Sequence, residues 1–343
     1  MLERGIVGME DKEKLEQLPY ISIVMPIYNE NKYIENCINS LLKQDYPLEK
    51  MEWIFVDGNS KDETVAKIKK YQDLYPKLIK ILNNPKKIVP CAMNIGIKES
   101  KGEYIIRLDA HADYDYNYIS KCIEYLKKTN ADNVGGIAIT KSKGFIGNTI
   151  AKMLSCKFGV GNSEFRTEGK EGYVDTVPFG AFKRDVFEKY GFYDERLIRN
   201  QDNELNYRIR KNNGKIYLSD QIKFSYYCRD SIKGIVNMAI KNGMWNIITM
   251  KLCPGSMGIR HFIPMLFLCS LFVMPILSIF SNLFLYLFVI EMGMYFILDL
   301  YFSKKMAKNI KEFFLLLYLF PLFHITYGYG SIKGILKILI KQF

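Results

Sequence analysis

Through the first two-thirds of the chain, short apolar runs alternate with stretches whose hydrophobic residues recur every third or fourth position. Tyr20 to Asn29 (YISIVMPIYN) reads as a strand stopped by Pro26, and Ile34, Ile38, Leu41 and Leu42 follow at helical spacing. Glu52 to Val56 repeats the design: a strand, a turn of Asp57, Gly58, Asn59 and Ser60, then a helix from about Asp62, which Asp62 or Ser60 can cap. KLIKILNN, PCAMNIGIKESK and EYIIRLDA supply a third strand, a third helix and a fourth strand. One more helix, from about Asn117 to Lys128, and a strand in ADNVGGIAI follow. This alternation predicts an α/β fold, Rossmann-like, with a mostly parallel central sheet flanked by helices and joined by right-handed crossovers. In such sheets ligands bind at the carboxyl ends of the strands. The polar residues at those ends, Asn29, Glu30, Asp57, Asp109 and His111, are therefore expected to converge on one edge.

Regularity then fades. KGFIGNTIAKMLSCKFGVGNSEFRTEGKEGY is glycine-rich and polar, with short helical pieces, and is long enough to be a substrate loop or lid. A short helix, a loop, the acidic pair Asp202 and Glu204 and an arginine-rich helix come next. Beyond about residue 260 the pattern changes again. Phe262 to Phe280 carries no charge and, at about 19 residues, is long enough to cross a bilayer core. Asn282 to Leu298 is interrupted only by Glu291, and Phe313 to Gly330 contains Pro321 and His324. The third segment is left open between a span and a re-entrant or surface element. Lys333, Lys337 and Lys341 recur at helical spacing in a basic amphipathic tail. The organisation expected is a polar leader at 1–19, a catalytic domain at 20–250, a membrane region of two or three hydrophobic helices at 251–330 and the tail at 331–343.

Charge and cysteine usage narrow the class. The net charge is +12, but the lysines are scattered through helices and the membrane-facing end, which favours anionic lipid or an anionic substrate over nucleic acid. Lys304, Lys305, Lys308 and Lys311 lie on one side of a hairpin of the first two spans, together with Lys233, Lys241, Lys251 and Arg260. The positive-inside rule makes that side cytoplasmic, so a multi-pass cell-membrane protein with a cytoplasmic catalytic domain is expected. The N-terminal stretch lacks the apolar core of a signal sequence. Seven scattered cysteines with no CxxC pair read as small buried hydrophobes in a reducing compartment. Arg229, near the membrane boundary, is open between a lipid-headgroup contact, a diphosphate ligand and a plain surface charge.

The chemistry concentrates in RLDAHADY, where Asp109, His111 and Asp113 fall at every second position after an apolar run. An extended chain puts them on one face, and carboxylates crowded there call for a cation. A divalent cation at a sheet edge can bind a diphosphate and stabilise it as it departs. A second carboxylate must then take a proton from the attacking hydroxyl, and Asp202 and Glu204 are the available pair.

PIYNE, VDGNSKDET, RLDAHADY, PFGAFKRDVFEKYGFYDE and NQDNELNYRIR, in this order over roughly residues 20 to 250, resemble glycosyltransferase family 2, inverting enzymes with a GT-A fold. The resemblance is closest to the bacterial exopolysaccharide branch typified by succinoglycan glycosyltransferase A. It implies that Pro26, Tyr28 and Glu30 line the nucleotide pocket and that Asp57 holds base and ribose. Gly58 stands where many members carry a second aspartate. It further implies that Asn94 offers its side chain to the nucleotide, that Asp109 is the first aspartate of the DxD metal motif with His111 in its second acidic place, and that Asp202 is the general base, preceded here by Gln201. Asp113 and Glu204 are possible supporting residues. The cofactor implied is Mn²⁺ or Mg²⁺; the partners are a nucleotide-sugar donor, UDP-linked, and a lipid-linked saccharide acceptor. The Q-x-x-R-W element of processive synthases is not found, so a single addition is expected. A sugar-phosphate nucleotidyltransferase would need a glycine- and lysine-rich loop at the first strand, which PIYNENKYI lacks. A non-catalytic nucleotide-binding membrane scaffold would share the fold and differ in turnover.

Overall fold

A computed structural model describes residues 16–167 and 169–340; the leader expected at 1–19 lies mostly outside them, as do the last three residues of the tail. In chain order the elements are β1 (Ile21–Ile27), α1 (Ile34–Leu42), β2 (Met51–Asp57), α2 (Thr64–Leu74), β3 (Ile79–Asn83), α3 (Val89–Glu99), β4 (Tyr104–Arg107), β5 (Ala112–Tyr114) and α4 (Tyr118–Thr129). There follow β6 (Asn133–Lys141), α5 (Gly144–Leu154), α6 (Lys157–Val160), β7 (Gly172–Tyr173), β8 (Ala181–Lys183), α7 (Asp185–Tyr190), α8 (Gln201–Lys211) and β9 (Ile216–Tyr227). The chain ends with four helices: α9 (Ile232–Leu252), α10 (Ile263–Ser278), α11 (Asn282–Met306) and α12 (Ile310–Leu339).

Two compact units share the chain by interleaving. The first comprises residues up to 137 together with 171–196 and 208–224; the second comprises 138–170, 197–207 and 225 onward. The sheet runs β3-β2-β1-β4-β8-β6-β9-β5, with β7 beside β9. Strands β3, β2, β1 and β4 are parallel neighbours, whereas β8 is antiparallel to both β4 and β6, so the sheet is mixed rather than mostly parallel. The parallel half is the part whose βα alternation is visible in sequence. Strands β1, β2 and β4 are buried on both faces, as near-continuous apolar runs require, while the edge strand β3 is partly exposed. Helix α3 sits close on β1 because Gly96 has no side chain; a Cβ there would strike Val24.

In the second unit α5, α9 and α12 share a core of Ile150, Met153, Ile235, Leu316 and Phe320. Of the helical pieces expected within 143–173, the first is an 11-residue helix packed into this core. Gly144 and Gly147 weaken the local signal, but Ile150, Met153 and Leu154 form a buried stripe, and Lys152 pairs with Glu312 at 2.5 Å. Helices α9 and α12 approach backbone to backbone at small residues. A Cβ on Gly243 would strike the Tyr327 carbonyl, and one on Gly330 the Ile240 carbonyl. Helix α12 passes through Pro321 without a break and continues past residue 331, so the third apolar segment and the start of the basic tail are one helix of 30 residues.

Helices α11 and α12 are long and apolar enough to cross a membrane; α10 has 16 residues and falls short of that length. Phe272 and Ile276 on α10, Leu283, Val289 and Ile297 on α11, and Phe280 between the two helices are exposed. An apolar face of this extent is stable in lipid and a liability in water.

Candidate functional site

The loops after β1 and β2 are laced together. Parallel register sets Ile27 beside Asp57, so both strands end at the same edge. Asn29, at φ 55°, accepts from the Lys61 N–H through Oδ1 at 2.8 Å, and its own N–H donates to Ser60 Oγ at 3.0 Å. The Glu30 N–H donates to Thr64 Oγ1 at 2.8 Å. Asp57 accepts from Ser60 Oγ at 2.6 Å and from the Ser60 N–H at 3.1 Å. It therefore shapes its own turn, while Asp62 takes the helix-start contact through Thr64 N at 3.1 Å. Burial works to raise the Asp62 carboxyl, but hydrogen bonds from Thr64 and Asn31 hold it below its ordinary value. Tyr28 is exposed beside this edge and Pro26 is partly exposed within β1. An open aromatic face of this kind suits stacking on a base.

Beyond β4 the chain does not stay extended. It turns at Ala110 and His111 and resumes as β5, so Asp109, His111 and Asp113 do not lie along one strand as their spacing suggested. Their burial nevertheless alternates: Leu108, Ala110, Ala112 and Tyr114 are buried, and the three polar residues between them are partly exposed. Tyr114 fixes the turn. Its hydroxyl accepts from the Asp109 N–H at 2.8 Å and donates to the Asp109 carbonyl at 3.0 Å. The Arg107 guanidinium lies 3.5 Å from Asp109 Oδ1, and His111 Nδ1 is 3.4 Å from Glu30 Oε1. Beneath them Cys37 is fully buried; burial, reinforced by the charges of Asp113, Asp109 and Glu30, pushes its thiol far above the ordinary range.

Among the described residues no three His, Cys, Asp or Glu side chains form a group able to hold a metal. Asp109 with His111 beside it supplies two donors at most. Such a set fits a hard cation that takes its remaining ligands from phosphate oxygens and water, and it does not fit a closed structural site.

Asn94 is hydrogen-bonded within the protein. Its Nδ2 donates to the Tyr193 carbonyl at 2.9 Å and to Glu195 Oε1 at 3.1 Å, while its Oδ1 accepts from the Tyr193 N–H at 2.9 Å. The amide is thus spent on the protein, holding the segment after α7. Glu195 also accepts from Lys86 at 2.6 Å. The hydrogen bond from Lys86, then those from Cys91 and Asn94, bring the Glu195 carboxyl down to about 2.

Asp202 and Glu204 lie in the first turn of α8, where the helix dipole favours carboxylates. Asp202 is partly exposed and Glu204 is buried. Both belong to the second unit, the one that carries the apolar helices; Asp57, Asn94, Asp109 and His111 belong to the first. Sequence reasoning missed Tyr114, Glu195 and Arg199. The first two stand inside motifs that were already singled out, ADY and YDE, yet nothing in their spacing shows what they bind.

The family model described as glycosyl transferase family 2 matches residues 22–191. The chain is 31% identical over 327 residues to the dolichyl N-acetyl-alpha-D-glucosaminyl phosphate 3-beta-D-2,3-diacetamido-2,3-dideoxy-beta-D-glucuronosyltransferase of Methanococcus voltae, across 93% of this chain and 98% of that one. It is 30% identical over 211 residues to the succinoglycan biosynthesis protein ExoA of Rhizobium meliloti, across 60% and 63% of the two chains. Among solved structures it superposes on the mannosyltransferase PcManGT of Pyrobaculum calidifontis, in complex with GDP-Man and Mn²⁺, with a TM-score of 0.59 at 16% identity over 96% of this chain and 89% of that one. It superposes on Staphylococcus aureus TarS 1–349 in complex with UDP-GlcNAc with a TM-score of 0.50 at 16% identity, over 94% and 93%. These likenesses show the fold to be GT-A.

Proposed function

Because the chain belongs to glycosyl transferase family 2, we propose that it moves a sugar, with inversion, from a UDP-linked donor to a hydroxyl of a lipid-linked saccharide in cell-surface polysaccharide synthesis. The observation that carries this reading is the gathering of Glu30, Asp57 and Asp109 at the carboxyl ends of adjacent parallel strands, with Asp109 clasped by Tyr114. The name of the Methanococcus voltae relative supports a lipid-linked acceptor, and the TarS complex supports a UDP-sugar donor.

In this mechanism Tyr28 stacks on the base, and Asp57, whose turn is preorganised by Ser60, orients the ribose. Asp109, with His111 beside it, would hold Mn²⁺ or Mg²⁺ against the diphosphate; the cation supplies Lewis-acid stabilisation of the leaving charge. Asp202 accepts the proton of the acceptor hydroxyl as its oxygen bonds to the anomeric carbon. The bond from that carbon to the diphosphate breaks on the opposite face, and the nucleoside diphosphate leaves. An α-linked donor thus gives a β-linked product. Asn94 and Glu195 act one step away, by fixing the segment that precedes α8. The apolar helices anchor the protein at the membrane, with the catalytic residues on the side of Lys304 and Lys305.

Membranes containing the protein, incubated with a panel of UDP- and GDP-sugars and Mn²⁺, Mg²⁺ or chelator, test the reading. Metal-dependent release of UDP from one donor is expected. Absence of both release and metal-dependent nucleotide binding across the panel would overturn it.

A further inference from the structure

The mechanism above leaves three arginines unused, and they fall together in the second unit. Arg199 stands two residues before α8, is half-buried, and donates through Nη1 to Asn242 Oδ1 of α9 at 2.7 Å. The next residue, Asn200, has φ 63° and donates to Asn246 Oδ1 at 2.9 Å and Thr249 Oγ1 at 3.2 Å. Residues 242, 246 and 249 form one face of α9, so the approach to Asp202 is riveted to that helix. The same helix is fastened to α12: Asn246 Nδ2 donates to the Tyr327 hydroxyl at 2.5 Å. The rigid path therefore runs from the membrane helices, through α9, to Arg199 and on to Asp202 three residues later.

Arg166 and Arg229 complete the group. The Arg166 guanidinium lies 5.2 Å from the Tyr226 ring centroid and 5.4 Å from that of Phe165. Arg229 follows β9 by two residues and precedes the Ser231 cap of α9, its stem lying against Gly234. Tyr226 and Arg229 are the titratable neighbours that Arg199 feels. Burial lowers the Arg199 guanidinium from its ordinary value; Tyr226 works against that and Arg229 adds to it. Among the described residues none of the three arginines forms an ion pair. A half-buried cation beside a second cation, with neither in an ion pair and only Asp230 as a neighbouring carboxylate next to Arg229 in the chain, is costly unless an anion arrives.

We propose that Arg166, Arg199 and Arg229 bind the phosphate of the lipid-linked acceptor. Guanidinium forks match phosphate oxygens in pairs, and aromatic stacking holds Arg166 flat for such a contact. The placement favours a lipid phosphate over the donor's diphosphate, because these arginines belong to the unit with the apolar helices and the donor-side residues belong to the other. The phosphate would then hold the acceptor sugar in reach of Asp202. The proposal rests on the reading that the acceptor is lipid-linked.

The test uses full-length protein in phosphatidylcholine nanodiscs, titrated with polyprenyl diphosphate, polyprenol, phosphatidylglycerol and inorganic pyrophosphate. Binding is followed by tryptophan fluorescence, since Trp245 lies on α9. Polyprenyl diphosphate is expected to bind at least about tenfold more tightly than the other three probes. Arg199→Gln and Arg229→Gln are each expected to weaken it by about tenfold to hundredfold, the loss of one charge-assisted contact, with Arg199→Lys between. Unfolding midpoints and UDP binding establish that each variant has folded. Unchanged polyprenyl diphosphate binding in folded variants overturns the site while leaving a lipid-linked acceptor intact. Equal binding of phosphatidylglycerol shows a general headgroup contact, and equal binding of pyrophosphate a site for free phosphate; either overturns the assignment. No binding of polyprenyl diphosphate by a protein that hydrolyses its donor removes both this site and the lipid-linked acceptor.

Discussion

The Tyr114 hydroxyl closes a two-way clasp on the backbone of Asp109, accepting its N–H at 2.8 Å and donating to its carbonyl at 3.0 Å. Burial of the ring pushes the phenol far above its ordinary range, so it stays a neutral donor at every working pH. Tyr114→Phe removes both bonds: the partly buried Asp109 N–H loses this acceptor, and the carbonyl keeps the weak Cys37 thiol donor at 3.9 Å. Urea unfolding should show a loss of about 1–3 kcal/mol, and nucleotide titration should show weaker metal-dependent UDP binding. A variant with unchanged UDP affinity would mean that the clasp does not position Asp109.

With at most two protein donors, the Asp109 site should hold a cation poorly by itself and well with nucleotide. Calorimetric titration of Mn²⁺ is expected to give millimolar binding to the protein alone and at least about tenfold tighter binding in the presence of UDP, because phosphate oxygens complete the shell. Asp109→Asn should abolish that enhancement. Tight Mn²⁺ binding without nucleotide would show that the protein supplies a fuller ligand set.

Glu195, held down to about 2 from an ordinary 4.5 by Lys86, Cys91 and Asn94, contributes stability above the unfolded value that disappears as pH falls toward 2. Glu195→Gln should therefore lower the unfolding midpoint at pH 7. The gap between variant and wild type should narrow across pH 4.5 to 2, not across neutrality. A gap that persists at the acid end would assign the effect to packing instead.

Helices α9 and α12 touch where glycine allows it. A side chain at Gly330 would strike the Ile240 carbonyl, so Gly330→Leu should force the helices apart and lower the detergent-solubilised midpoint by several degrees. Gly293 on α11 has open space around it, and Gly293→Leu should be tolerated. Equal effects at the two positions would contradict this packing.

Strands β1, β2 and β4 were legible because burial on both faces writes a near-continuous apolar run, and polar residues proposed for the site follow each of them. Asp57 and Asp109 could be read in this way. Helix α5 could not, since Gly144 and Gly147 speak for a loop and only packing of Ile150 and Met153 against α9 and α12 overrides them. The turn at Ala110 escaped for a similar reason: it depends on the Tyr114 hydroxyl, and a bond between residues five apart leaves no periodic trace. The three hydrogen bonds by which Asn94 holds Tyr193 and Glu195 join residues about a hundred positions apart, which no local pattern records. The interleaving of the two units, by which Asp202 belongs to one and Asp109 to the other, follows from tertiary contacts that no local pattern records.

The proposed displacement at the anomeric carbon requires Asp202 to take the proton of the acceptor hydroxyl. Single-turnover transfer by Asp202→Asn, in membranes and with the donor identified by the UDP- and GDP-sugar panel, is expected to slow by about 10²- to 10⁴-fold with UDP binding unchanged. Transfer at the wild-type rate by a variant that folds and binds UDP would exclude Asp202 as the base.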